Sequence, residues 1–156
     1  MKATYRVLGY LIAALVVVQA ALIALAVFGL GSWVEGGHDL TKSALESGST
    51  SISGSVGFML HGMIGEMLIP LLAIVMLVVS FFAKIPGGVK WAGFVVLAVI
   101  VQIALAMIAH GVWGVGALHG INAFVLAGLA SAAAARATRL ATSTTKAATA
   151  PMAEKV

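Results

Sequence analysis

The chain has no cysteine. That excludes disulfides, thiolate metal ligands and the CxxCH attachment of a c-type haem, so a haem here would be held by packing and imidazole ligation alone. Charge is scarce as well. Only 9% of the 156 residues are Asp, Glu, Lys or Arg, against roughly 25% in soluble domains, which excludes a water-soluble globule. Acids are scarcest of all, five in number, and only Glu66 lies inside an apolar stretch.

What fills the chain instead is hydrocarbon: 62% of residues are hydrophobic and the mean hydropathy is +1.12. Four apolar stretches, 7–30, 56–83, 91–110 and 115–135, reach the ~20 residues a bilayer-spanning helix needs. Within hydrocarbon a single segment satisfies its own backbone only as a helix. The expected fold is therefore an all-α integral membrane protein, a bundle of four transmembrane helices in one domain covering 1–136. Residues 31–55 form a Gly- and Ser-rich outer loop, either a lid over the bundle mouth or a flexible connection, with a short helix expected over 39–46. The Ala- and Thr-rich tail 137–156 has no periodic apolar face and is expected to be disordered.

Charge sets the orientation. Lys2, Arg6, Lys84, Lys90, Arg136, Arg139, Lys146 and Lys155 fall on one side of a four-span topology and only Lys42 on the other. The positive-inside rule then places both termini in the cytoplasm of a bacterial plasma membrane. The net charge of +4 thus faces the membrane surface, and nucleic acid is not an expected partner. The first apolar run exceeds the ~7–15-residue core of a signal peptide, so it is read as a permanent span.

The sequence also repeats itself. Val17-Val18-Gln19-Ala20-Ala21-Leu22 returns as Ile100-Val101-Gln102-Ile103-Ala104-Leu105, and Leu60-His61-Gly62-Met63 returns as Leu118-His119-Gly120-Ile121. Each copy is a helix pair entering the membrane in the same direction, so a tandem duplication about an axis along the membrane normal is expected. The longer gap between Gln19 and His61 is the outer loop.

His61 and His119 then sit at matching depth, about one turn inside the outer ends of their helices. Polar side chains at membrane depth face the bundle interior and are functional candidates. Two imidazoles across an axis suit one metal centre. Gly57 and Gly65 flank His61, and Gly116 and Ala123 flank His119, leaving room for a planar ligand. Asn122 would bond a propionate, a ring nitrogen or a facing helix. The plainer alternative is that small residues serve helix packing and that each His bridges helices. His110 is a further candidate ligand, and His38 beside Asp39 is read as a solvated loop residue. Several histidines in one leaflet also suit zinc or copper, with Asp39 or Glu35 as oxygen donors, though no HxxxH or HxH spacing is present.

Glu66 lies about 140° around the helix from His61 and about 7 Å deeper. Pro70 leaves the Glu66 carbonyl without its donor, which predicts a kink. The carboxyl would relay protons or bind a quinone or cation, or else be protonated and bonded to Gln19 or Gln102. Those two amides are expected to cross-link helices near mid-membrane.

A four-helix unit with one His near the outer end of its second helix and another in its fourth resembles half of a haem A synthase, and is similar in principle to the four-helix bundles of b-type cytochromes. The Leu-His-Gly motif followed by Asn122 also resembles a group of small four-span bacterial membrane proteins. The likeness spans 5–136 in topology and the two His motifs in sequence. It implies axial ligation of b-type haem by His61 and His119. A haem A synthase has two such units, and an acidic residue about a turn before its first His, where this chain has Gly57 and Phe58.

The expected function is a haem b electron carrier working with quinone or a partner redox protein, with no catalytic residues of its own, since two axial imidazoles leave iron no open position. The rivals are an accessory or assembly subunit in a homo- or hetero-oligomeric membrane complex, a small transporter using Glu66, Gln19 and Gln102, and an outer-leaflet Zn/Cu site.

Overall fold

The computed structural model describes residues 1–43 and 52–148, with side chains up to Arg139. Four helices make up the bundle: α1 (Lys2–Glu35), α2 (Ser55–Phe82), α3 (Gly88–Ala109) and α4 (Val115–Ala148). All four are long and apolar enough to cross a membrane, and there is no strand among the described residues. Of the short helix expected over 39–46, only Lys42 and Ser43 are helical among the described residues, and 44–46 lie outside them.

The helices outrun the apolar stretches. α1 takes in Lys2 and Arg6 at one end and Trp33 to Glu35 at the other, ending where Gly37 adopts φ 86°. α4 continues to Ala148, and residues 149–156 of the tail expected to be disordered lie outside the described residues. Alanine has the highest helix propensity of all residues, and nothing from 137 to 148 breaks a helix already begun in the membrane. Lipid thickness limits where apolar residues must stop, not where the helix must.

α1 packs against α4 and α2, and α3 packs against α2 and α4, so α2 and α4 stand diagonally opposite. α1 and α2 meet most closely near the end remote from the termini. A Cβ on Gly57 would lie 2.5 Å from the Leu22 carbonyl oxygen, and one on Gly29 would lie 2.6 Å from the Gly54 Cα. Small residues permit this backbone contact, the usual basis of helix association in lipid.

The closed core lies in the half of the bundle nearer the termini. Tyr5, Ile12, Met76, Val95 and Leu126 are its largest enclosed side chains, with Ala73, Ala92, Ala130 and Ala133 letting the helices approach. The buried Tyr5 hydroxyl donates to the Gly88 carbonyl at 2.9 Å, joining the start of α1 to the start of α3. In the other half Leu22, Leu60, Leu105 and Val115 are only partly buried.

Candidate functional site

Each histidine docks on the glutamine of its own repeat. His61 on α2 lies with Nδ1 3.1 Å from the Gln19 backbone oxygen on α1. His119 on α4 lies with Nδ1 3.0 Å from the Gln102 backbone oxygen on α3. A carbonyl can only accept, so Nδ1 carries the hydrogen in both rings and donates. In the neutral imidazole Nε2 is then the lone-pair nitrogen. The two rings face one another across the diagonal of the bundle, with centroids 6.3 Å apart and planes tilted by 56°.

The second repeat adds a side-chain chain of hydrogen bonds. Asn122 Nδ2 donates to Gln102 Oε1 at 2.7 Å and to the Ala98 carbonyl at 2.9 Å. The Gln102 amide nitrogen lies 3.1 Å from His119 Nε2 and donates to it. In the first repeat the position of Asn122 is occupied by Ile64, which offers nothing polar. There the Gln19 amide is 7% exposed and neither its oxygen nor its nitrogen has a partner.

A π-turn brings His61 to face His119. Ile64–Leu68 closes with the Ile69 N–H reaching Ile64 O, five residues back. Pro70 is the cause, having no N–H for the Glu66 carbonyl and a ring that crowds it. The buried residues Ile69, Ala73, Met76 and Ser80 follow His61 by eight, twelve, fifteen and nineteen residues; Leu126, Ala130, Ala133 and Ala137 follow His119 by seven, eleven, fourteen and eighteen. The π-turn therefore takes up a one-residue difference in register between α2 and α4. Eight regular helical residues would turn His61 about 80° from the core face, and absorbing one residue in the wide turn returns it to within about 20°. The expected kink thus takes the form of a register correction.

The other candidates separate. Gly57 is filled by the backbone of α1, and a Cβ on Gly65 would meet the Gln19 amide nitrogen at 3.4 Å, so both face α1 rather than open space beside His61. Gly116 has open space around it, and Ala123 is partly buried. His110 is exposed and donates from Nδ1 to the Ala106 carbonyl of its own last turn. His38 is exposed, bonded to the Trp33 carbonyl and stacked on the Trp33 ring at 4.7 Å. Among the described residues no three His, Cys, Asp or Glu side chains gather into a metal-binding group. Glu66 is exposed, and the expected bridge from its carboxyl to a glutamine is not formed: the Gln102 amide goes to His119 and Asn122, and the Gln19 amide goes to nothing.

The clamp that Gln102 places on His119 is not among the roles the sequence suggests for it, which are cross-linking helices, bonding Glu66 or lining a polar path. The sequence signal was its place one helix before the second Leu-His-Gly motif, with Asn122 one turn beyond. No family model, curated protein or solved structure matches the chain.

Proposed function

We propose that this four-helix membrane protein binds one b-type haem between α2 and α4, with His61 and His119 as its axial ligands. The carrying observation is the opposed pair of imidazoles at 6.3 Å. Two neutral imidazoles at that spacing would be able to hold one metal between them. Each ring also donates its Nδ1 hydrogen to a backbone carbonyl, the outer-sphere contact that fixes tautomer and ring orientation in metal-ligating histidines. A porphyrin supplies four nitrogens of its own, so two protein donors suffice where a bare zinc or copper ion needs more.

Leu22, Leu60, Leu105 and Val115, partly buried on the helices that carry the pair and its glutamines, supply apolar surface in this half of the bundle. Gly116 leaves space beside His119. His119 would hold the metal through Nε2, the nitrogen to which the Gln102 amide donates in this structure, so that hydrogen bond would have to give way. A haem held by two imidazoles supplies one-electron chemistry and no oxygen-binding position. The protein is then an electron carrier, exchanging with quinone or another membrane or outer redox protein. The basic residues at the termini end support a plasma-membrane orientation with both termini in the cytoplasm.

The test is the visible spectrum of the protein purified after expression with haem supplied. A Soret band with split reduced α/β bands is expected in the wild type, and its loss in His61→Ala and in His119→Ala. A colourless wild-type protein, or a band that survives in the double variant, would falsify the assignment.

A second reading, a subunit of a larger membrane complex, is favoured by Glu66. It is exposed beside Met67 at mid-span, and acids at that depth are normally covered by protein or water. Co-purification of a stoichiometric partner, lost in Glu66→Leu, tests it.

A further inference from the structure

Among the described residues the acids are Glu35, Asp39 and Glu66, at mid-bundle or toward the far end, so the described part of the end bearing the termini presents cations without carboxylates. Within it, a cavity of about 310 Å³ opens between α3 and α4, lined by Pro86, Trp91, Ala132, Ala135, Arg136 and Arg139. The four α4 residues follow the i, i+3, i+4, i+7 pattern of one helix face, so two small alanines open the space and two guanidiniums stand over it. The Arg136 guanidinium carbon lies 4.4 Å from the centre of the Trp91 ring, a cation–π contact that holds the charged group beside the cavity. Among the described residues no ion pair engages Arg136 or Arg139.

Depth identifies what reaches this cavity. Residues 115–135 span about 31 Å at the α-helical rise, the thickness of a hydrocarbon core of about 30 Å. Arg136 is thus the first residue beyond the lipid tails, at phosphate level. Trp91, in the first turn of α3, occupies the interfacial belt where indole rings concentrate. We propose that this cavity is a binding site for the phosphate headgroup of an anionic lipid. The guanidiniums bind the phosphate oxygens, Trp91 and the alanines contact the glycerol region, and the acyl chains run down the exposed groove beside α3 and α4. Basic pockets between transmembrane helices are a recurrent form of such recognition. The proposal stands independently of any haem.

The experiment is lipid retention by the full-length protein, reconstituted in vesicles of phosphatidylcholine mixed with phosphatidylglycerol, then extracted and read by native mass spectrometry. The wild type is expected to retain phosphatidylglycerol and not phosphatidylcholine. Arg136→Gln/Arg139→Gln should weaken retention at least about tenfold, and Ala135→Trp, which fills the cavity and keeps every charge, should weaken it comparably. Lys2→Gln/Arg6→Gln removes the same charge outside the cavity and should retain the lipid; circular dichroism confirms that each variant is folded. Equal loss in the Lys2/Arg6 variant, or full retention in either cavity variant, overturns the site. Displacement of the lipid by inorganic phosphate alone overturns a lipid as its occupant.

Discussion

Gln102 engages both nitrogens of the His119 ring, its carbonyl accepting from Nδ1 at 3.0 Å and its amide donating to Nε2 at 3.1 Å. Gln19 engages His61 through its backbone alone, and its amide is buried without a partner. The two repeats thus place the same residue types at the same stations and use them differently.

That asymmetry makes a paired prediction. Gln102→Leu strands His119 Nε2 and one bond of Asn122, and should lower stability by about 1–3 kcal/mol. Gln19→Leu removes an unpaired buried amide at nearly constant volume and should be neutral or stabilising by about 1 kcal/mol. Chemical unfolding in detergent, followed by circular dichroism, measures both. Equal losses would show that the two amides are equivalent.

The glycines can be told apart in the same assay. Gly57→Ala places a methyl 2.5 Å from the Leu22 carbonyl and should cost about 1–3 kcal/mol through separation of α1 and α2. Gly116→Ala meets open space and should change stability by less than about 0.5 kcal/mol.

Deleting Met67 together with Pro70→Ala removes one residue of α2 and the cause of its wide turn. His61 would then precede the core residue Ile69 by the same interval that separates His119 from Leu126. An unkinked α2 with unchanged unfolding behaviour and an unchanged visible spectrum is expected. Loss of the spectrum in a folded variant would show that the π-turn does more than correct register.

Tyr5→Phe deletes the bond to the Gly88 carbonyl and leaves the ring in place. It should destabilise the bundle by about 1 kcal/mol, seen as a lower unfolding midpoint with no spectral change.

Composition alone made the four spans legible, because no other arrangement satisfies the backbone of such apolar stretches in lipid. Their ends were not legible: Lys2, Glu35 and the residues to Ala148 are helical by propensity, beyond what hydropathy reports. The Gln-then-His repeat pointed to the histidine pair, since both members carry polar groups into an apolar setting. Gly57 and Gly65 were misjudged because a glycine that admits a ligand and one that admits a neighbouring helix look alike in sequence. Pro70 signalled a disturbed helix, but only the positions of buried residues in α2 and α4, compared side by side, reveal a one-residue difference in register. The basic cavity was present in the sequence as Trp91 with Arg136 and Arg139, residues that topology had assigned to the membrane surface without bringing them together.

The closed core occupies one half of the bundle, and the histidines stand in the other. The four helices are consequently secured by contacts that no occupant of the histidine site needs to supply. The two halves also answer to different pressures. Exchanges at Met76, Val95 or Leu126 threaten the fold itself, whereas Leu22, Leu60, Leu105 and Val115, only partly buried, leave the histidine half the more tolerant of change.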